Sequence, residues 1–76
     1  MKQLSFDTQV TLQMYNLEFK EIEKPTTYKA IGYLFQNDVR CILIFSESFY
    51  VYSSDISINE KLIKAIQDIQ KIYGDK

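Results

Sequence analysis

Few of the side chains in this 76-residue chain could do chemistry, and their spacing does not bring them together. There is no histidine, so the side chain that titrates near neutrality and the usual zinc ligand sets are both missing. Glu18, Glu21 and Glu23 form the densest group of carboxylates, the residue type that a general acid–base pair would need. They are interleaved with Lys20 and Lys24, which is the pattern of a solvated strand edge kept charged against edge-to-edge association. Asp38 and Asp55 fall in turn-forming clusters, where their oxygens satisfy local backbone N–H groups and leave any cation shell incomplete. Ser57 and Lys61 have i, i+4 spacing, but Ser57 also opens the run Ser57-Ile58-Asn59-Glu60, whose pattern is that of a helix capping box. The single cysteine, Cys41, has no disulfide partner and lies in an apolar run, where a thiol behaves as a small hydrophobe. Gly32 and Gly74 are the only glycines, too few for a phosphate-binding loop. The expectation is a non-enzymatic protein with no catalytic, cofactor-binding or metal-binding residues.

Charge bounds the partners. Nine basic and ten acidic residues give a net charge of −1, whereas a nucleic-acid-binding domain carries a basic stripe. The start, Met1 to Asp7, is broken by polar residues too early for a signal peptide, and the longest apolar run is Cys41 to Phe45. No membrane association and a cytoplasmic location are therefore expected. Eight lysines to one arginine, together with ten isoleucines, point to an AT-rich genome.

Size matters for the same question. One core in a chain this short yields only about 3–5 kcal/mol, so disulfides, a metal or a partner subunit are the usual supports. With the first two missing, oligomerisation is the support to expect.

The elements can be read from periodicity. Ile58, Leu62, Ala65, Ile66, Ile69, Ile72 and Tyr73 fall on one stripe at 100° per residue, so residues 57–73 form an amphipathic C-terminal helix, with Gly74 as its left-handed stop. Ile63 lies at the border of that stripe. Glu60 with Lys64 and Asp68 with Lys71 sit at helical neighbour spacing on the polar face. Upstream, residues 27–53 read as a three-stranded antiparallel meander, rich in Tyr, Phe, Ile and Val and punctuated by Asn37-Asp38 and Ser46-Glu47-Ser48. Residues 1–24 read as an N-terminal strand or hairpin, because Leu4, Phe6, Val10, Leu12 and Met14 share one parity and Tyr15-Asn16 can turn. Pro25 marks the connector that follows. The fold class is α+β, a single domain with an antiparallel sheet of four to five strands and one C-terminal amphipathic helix packed on one face.

Register decides which face the helix covers. A two-residue turn at Asn37-Asp38 and a three-residue turn at 46–48 place Ala30, Leu34, Cys41, Leu43, Phe45, Phe49 and Val51 on one face. The other face then carries Lys29, Ile31, Tyr33, Phe35, Arg40, Ile42, Ile44, Tyr50 and Tyr52. A two-residue turn after Phe45 would instead group Tyr50 and Tyr52 with Phe45 and Leu43. The aliphatic face is the one expected under the helix, with Gly32 allowing close approach.

One helix covers one sheet face, so the second is left as the candidate site: Ile31, Tyr33, Phe35, Arg40, Ile42, Ile44, Tyr50 and Tyr52. Leaving so many apolar side chains open forgoes on the order of 10 kcal/mol, which marks an interface unless the N-terminal segment closes over it. The favoured reading is a protein-binding or regulatory module acting through this face, with a homodimer as the expected state. The alternative is single-stranded nucleic-acid binding, in which the aromatics stack bases while Lys29 and Arg40 meet phosphates. Strands followed by one C-terminal helix is an order similar to that of dimeric coactivator-type single-strand DNA binders. The acidic chain offers little counterion release, which favours the protein partner.

Overall fold

The computed structural model describes residues 3–22 and 29–74, in the order α1 (Phe6–Met14), β1 (Leu17–Glu21), β2 (Ala30–Gln36), β3 (Val39–Phe45), β4 (Phe49–Val51) and α2 (Glu60–Tyr73). The strands form one antiparallel sheet in the order β1-β2-β3-β4, so the α+β class and the C-terminal helix stand as expected. The connector around Pro25 lies outside the described residues. Among the described residues no helix is long and apolar enough to cross a membrane.

The N-terminal third corrects the expectation of a strand or hairpin, since Phe6–Met14 is helical and only Leu17–Glu21 is a strand. Ser5 caps the helix by accepting a hydrogen bond from the Thr8 amide at 3.3 Å. Asn16, at φ 55°, then takes the left-handed conformation and turns the chain into β1. The misleading period has a physical origin. Leu4, Thr8 and Leu12 form one i, i+4 stripe toward the core, while Phe6, Val10 and Met14 form a second toward solvent. Interleaved, the two stripes reproduce the alternate-residue pattern of a strand. The helix that precedes the sheet also separates this chain from the strands-then-helix order.

α2 follows its stripe from Leu62 onward, burying Leu62, Ala65, Ile66 and Ile69, but it begins at Glu60 rather than at 57, so Ile58 precedes the helix and is exposed. Its cap differs from the capping-box reading: Asn59, not Ser57, accepts from the backbone, taking the Leu62 amide at 3.0 Å. Asn59 also bonds the Tyr15 hydroxyl, which ties the start of α2 to the end of α1. Gly74 ends the helix at φ −88° and ψ −15°, in right-handed space, so it is not the left-handed stop. What requires glycine there is room, because an added Cβ would come within 2.9 Å of Ile31 Cδ1. Of the two ion pairs expected on the polar face, Glu60–Lys64 forms at 3.9 Å, whereas Asp68 turns toward α1.

The register of the meander contains the main structural finding. At the Asn37-Asp38 turn, Gln36 pairs with Val39 and Phe35 with Arg40, and both turn residues have positive φ, as a tight hairpin requires. The next pairs are Leu34 with Ile42 and Tyr33 with Leu43, so Cys41 is an extra residue in β3, a bulge. The offset is undone between Gly32–Ile44 and Ala30–Phe45, where Ile31 is the extra residue in β2. Each bulge puts two consecutive residues into the interior: Cys41 with Ile42, and Ile31 with Gly32. Ile44 pairs with Phe49 and Ile42 with Val51, the register of the two-residue connection after Phe45, closed by a 2.8 Å hydrogen bond from the Phe45 amide to the Ser48 carbonyl.

A row of Phe19, Leu34, Ile42 and Val51 therefore crosses all four strands beneath the helices. Leu34, Ile42, Ile44, Leu62, Ile66 and Ile69 are the largest fully buried side chains, and Leu12, Leu17 and Ile56 close the core around them. Gly32 serves close approach not of the helix, as expected, but of β1: an added Cβ would lie 2.7 Å from the Phe19 ring and would also strike the Lys20 carbonyl.

Candidate functional site

The strands' alternation sends a second row, Lys20, Tyr33, Leu43 and Tyr50, to the face away from the helices. A neighbouring row begins with Glu18, Phe35 and Arg40. α1 packs on β1 and α2, and α2 packs on β3, so both helices lie on the opposite side. Among the described residues, this outer face is the sheet's uncovered surface.

Of the residues expected there, Tyr33, Phe35, Arg40, Tyr50 and Tyr52 are brought together. Tyr50 and Tyr52 are about half exposed, at 59% and 50%, and their rings meet edge-on at 5.1 Å. Tyr33 and Phe35 meet edge-on at 6.0 Å. Arg40 lies over the Tyr33 ring at 4.8 Å and Lys20 over the Phe35 ring at 5.0 Å, within cation–π range.

Ile31, Ile42 and Ile44 do not belong to this surface. They are core residues at 6%, 0% and 0% exposure, because the bulges at Cys41 and Ile31 reverse the parity that simple alternation assigns them. In their place Leu43 and Phe45 turn outward and are half-buried, and β1 adds Glu18 and Lys20. Sequence reasoning missed Leu43 and Phe45 because it contained no bulge at Cys41 to reverse the parity of β3, and because it took the second turn as three residues rather than two. It missed Glu18 and Lys20 because the N-terminal third was not resolved into its elements.

Lys29, the other cation expected to meet phosphate, stands apart. It has φ 57° and lines a shallow hollow with Phe45, Ser46, Glu47 and Ser48 at one end of the sheet. The carboxylates are dispersed as well: Glu18 and Glu21 have opposite parity on β1, and Glu23 lies outside the described residues. Cys41 is 2% exposed, with its thiol directed to the Val39 carbonyl at 3.4 Å. Among the described residues no three His, Cys, Asp or Glu side chains converge as a metal site would need.

The perturbed carboxylate belongs to the helical layer. Burial acts to raise the Asp68 carboxyl, but hydrogen bonds from the Thr8 hydroxyl and from Ser5, with the charge of Lys71, outweigh it and hold the group below its ordinary 3.8. Asp68 accepts from Thr8 Oγ1 at 2.7 Å and from the Ser5 amide at 3.0 Å, fastening the first turn of α1 to the middle of α2.

Compared with known proteins, the chain matches no family model, no curated protein and no solved structure.

Proposed function

We propose that the chain is a non-enzymatic, cytoplasmic binding module whose uncovered sheet face pairs with a second copy of itself. The observation that carries the reading is the composition of that face, on which Tyr33, Phe35, Leu43, Phe45, Tyr50 and Tyr52 lie with no described helix above them. Tyrosine suits such a surface, since it brings large area with few rotors and a hydroxyl that tolerates partial exposure.

Area and charge support a self-pairing occupant. A standard interface takes about 800 Å² per partner, roughly one-seventh of the chain's 5625 Å² of accessible surface. One side of a body measuring 29 × 25 × 21 Å offers an area of that order. Glu18 shares the face with Lys20 and Arg40, so two copies related by a two-fold axis have charges of both signs to match. A phosphate backbone laid on the same surface would meet Glu18, while Lys20 and Arg40 are already engaged over aromatic rings.

The test is solution mass across a concentration series for the wild type and for Tyr33→Ser combined with Tyr50→Ser. The wild type is expected to be dimeric at high micromolar concentration and the double variant monomeric, with unchanged helix content by circular dichroism. A monomeric wild type, or a double variant of unchanged mass, removes the reading. Binding of a single-stranded oligonucleotide that weakens steeply between about 50 and 200 mM salt would replace it with nucleic-acid recognition.

A further inference from the structure

α1 faces the core with Thr8 and Leu12 and carries a separate apolar strip that the fold does not use. Thr8 and Leu12 pack inward, with Leu4 reaching the core from just before the helix, while Phe6, Val10 and Met14 remain 77%, 38% and 62% exposed along the other side of the same helix. Single exposed hydrophobes need no explanation, but three at i, i+4, i+8 form a continuous strip. The strip borders a groove of about 530 Å³ between α1 and α2, lined across from it by Lys61, Lys64, Ala65 and Asp68.

The two walls differ in chemistry. The α1 wall carries the apolar strip of Phe6, Val10 and Met14, with the polar Ser5, Asp7, Thr8 and Thr11 between and beside them. The α2 wall presents Lys61 and Lys64, and the only ion pair of Lys64 among the described residues is a 3.9 Å contact with Glu60 in which both side chains are largely exposed. An exposed pair of that kind contributes little and exchanges readily. Asp68 is already occupied by Ser5 and Thr8, and Asp7 lies at the opposite end, in the first turn of α1.

We propose that this groove receives an amphipathic helix of another protein, with apolar side chains that seat along Phe6, Val10 and Met14 and carboxylates that meet Lys61 and Lys64. The charge arrangement points to the occupant: Lys61 and Lys64 flank the strip, and among the described residues their one ion pair is the exposed 3.9 Å contact of Lys64 with Glu60, so an acidic–apolar helix fits better than a basic one. Laying one apolar helix face into a groove, anchored at i, i+4 and i+8, is an established mode of peptide recognition. The site lies on the helical side of the molecule, away from the aromatic sheet face, and does not depend on the sheet face self-pairing.

The experiment is fluorescence anisotropy with a designed helical peptide carrying Leu at i, i+4 and i+8 flanked by Glu, and with the same peptide carrying Lys for every Glu. The acidic peptide is expected to bind at least tenfold tighter than the basic one and to weaken with salt. Val10→Glu, and separately Lys61→Glu with Lys64→Glu, should each reduce its affinity at least tenfold. All three positions are exposed, so the variants keep the fold, and circular dichroism verifies that. Tyr33→Ser with Tyr50→Ser should leave peptide binding unchanged whatever it does to solution mass. Equal affinity for both peptides, or no binding of either, overturns the proposal. So does loss of a wild-type dimer in Val10→Glu, which would make the strip a contact between copies of this chain.

Discussion

Replacing Asp68 should loosen the first turn of α1, because among the described residues the polar contacts between that turn and α2 end on Asp68. The carboxylate accepts from Thr8 Oγ1 at 2.7 Å and from the Ser5 amide at 3.0 Å, and Thr8 is only 4% exposed. A hydrogen bond to a charged group contributes about 1.5–3 kcal/mol when buried, and the Ser5 bond, which is exposed, should fall below that range. Asp68→Ala is therefore expected to cost about 2–3 kcal/mol, a large part of the roughly 3–5 kcal/mol available to a chain of this size. Asp68→Asn keeps an acceptor oxygen and should cost less. The pH dependence has a definite sign. The folded-state carboxyl lies below its ordinary 3.8, so its stabilisation is fully present above that value and is lost as pH falls through the lower, folded value. Urea denaturation of wild type and Asp68→Asn at pH 7 and in steps to about pH 2.5 isolates the effect, because the other carboxylates are common to both proteins. Hydrogen exchange should show α1 amides losing protection before those of β2 and β3. A loss under about 0.5 kcal/mol in Asp68→Ala, or a wild-type advantage over Asp68→Asn that does not shrink on acidification, would refute the account.

The bulged register gives opposite expectations for adjacent residues. Ile42→Ala removes a 0%-exposed side chain and should cost about 2–5 kcal/mol, whereas half-buried Leu43→Ala should cost about 1 kcal/mol or less by urea denaturation; the reverse order would restore simple alternation. Gly32→Ala should destabilise by about 1–3 kcal/mol, because the new Cβ would meet the Phe19 ring at 2.7 Å and the Lys20 carbonyl, and a rise in melting temperature would show that β1 gives way freely. Asp38→Gly should stabilise by up to about 1 kcal/mol, since Asp38 sits at φ 66° in an exposed turn that glycine adopts without strain. A fall in melting temperature would mean that the aspartate side chain stabilises the turn by more than its backbone costs.

Much of the fold is legible in the sequence because most elements have a single period. α2 has one apolar stripe, and β4 alternates, so Phe49 and Val51 face in while Tyr50 and Tyr52 face out, as the sequence alone implies. In β2 the inward Leu34 and outward Tyr33 and Phe35 follow the same rule. Legibility fails where two periods are superposed or where one residue is inserted. α1 superposes two i, i+4 stripes and so mimics a strand. β3 is Val39-Arg40-Cys41-Ile42-Leu43-Ile44-Phe45, a run in which either parity is apolar after residue 40, and neither composition nor alternation can choose between them.

What resolves that ambiguity is packing against β4 and α2. The two-residue connection after Phe45 aligns Phe49 with Ile44 and Val51 with Ile42, and a core built on that register leaves Tyr50 of β4 and the following Tyr52 about half exposed. Arg40 must at the same time stay opposite Phe35, beside the tight turn at Asn37-Asp38. Both demands can be met only by an extra residue between them, and Cys41, small and 2% exposed, occupies that place. The bulge thus sets the character of the outer face as well as the core. It takes two isoleucines off the expected surface and puts Leu43 and Phe45 there, while leaving Arg40 over Tyr33. The candidate site is in this sense a consequence of the register at Cys41. A bulkier residue at that position should therefore disturb the outer face as well as the core, even though its own side chain points inward.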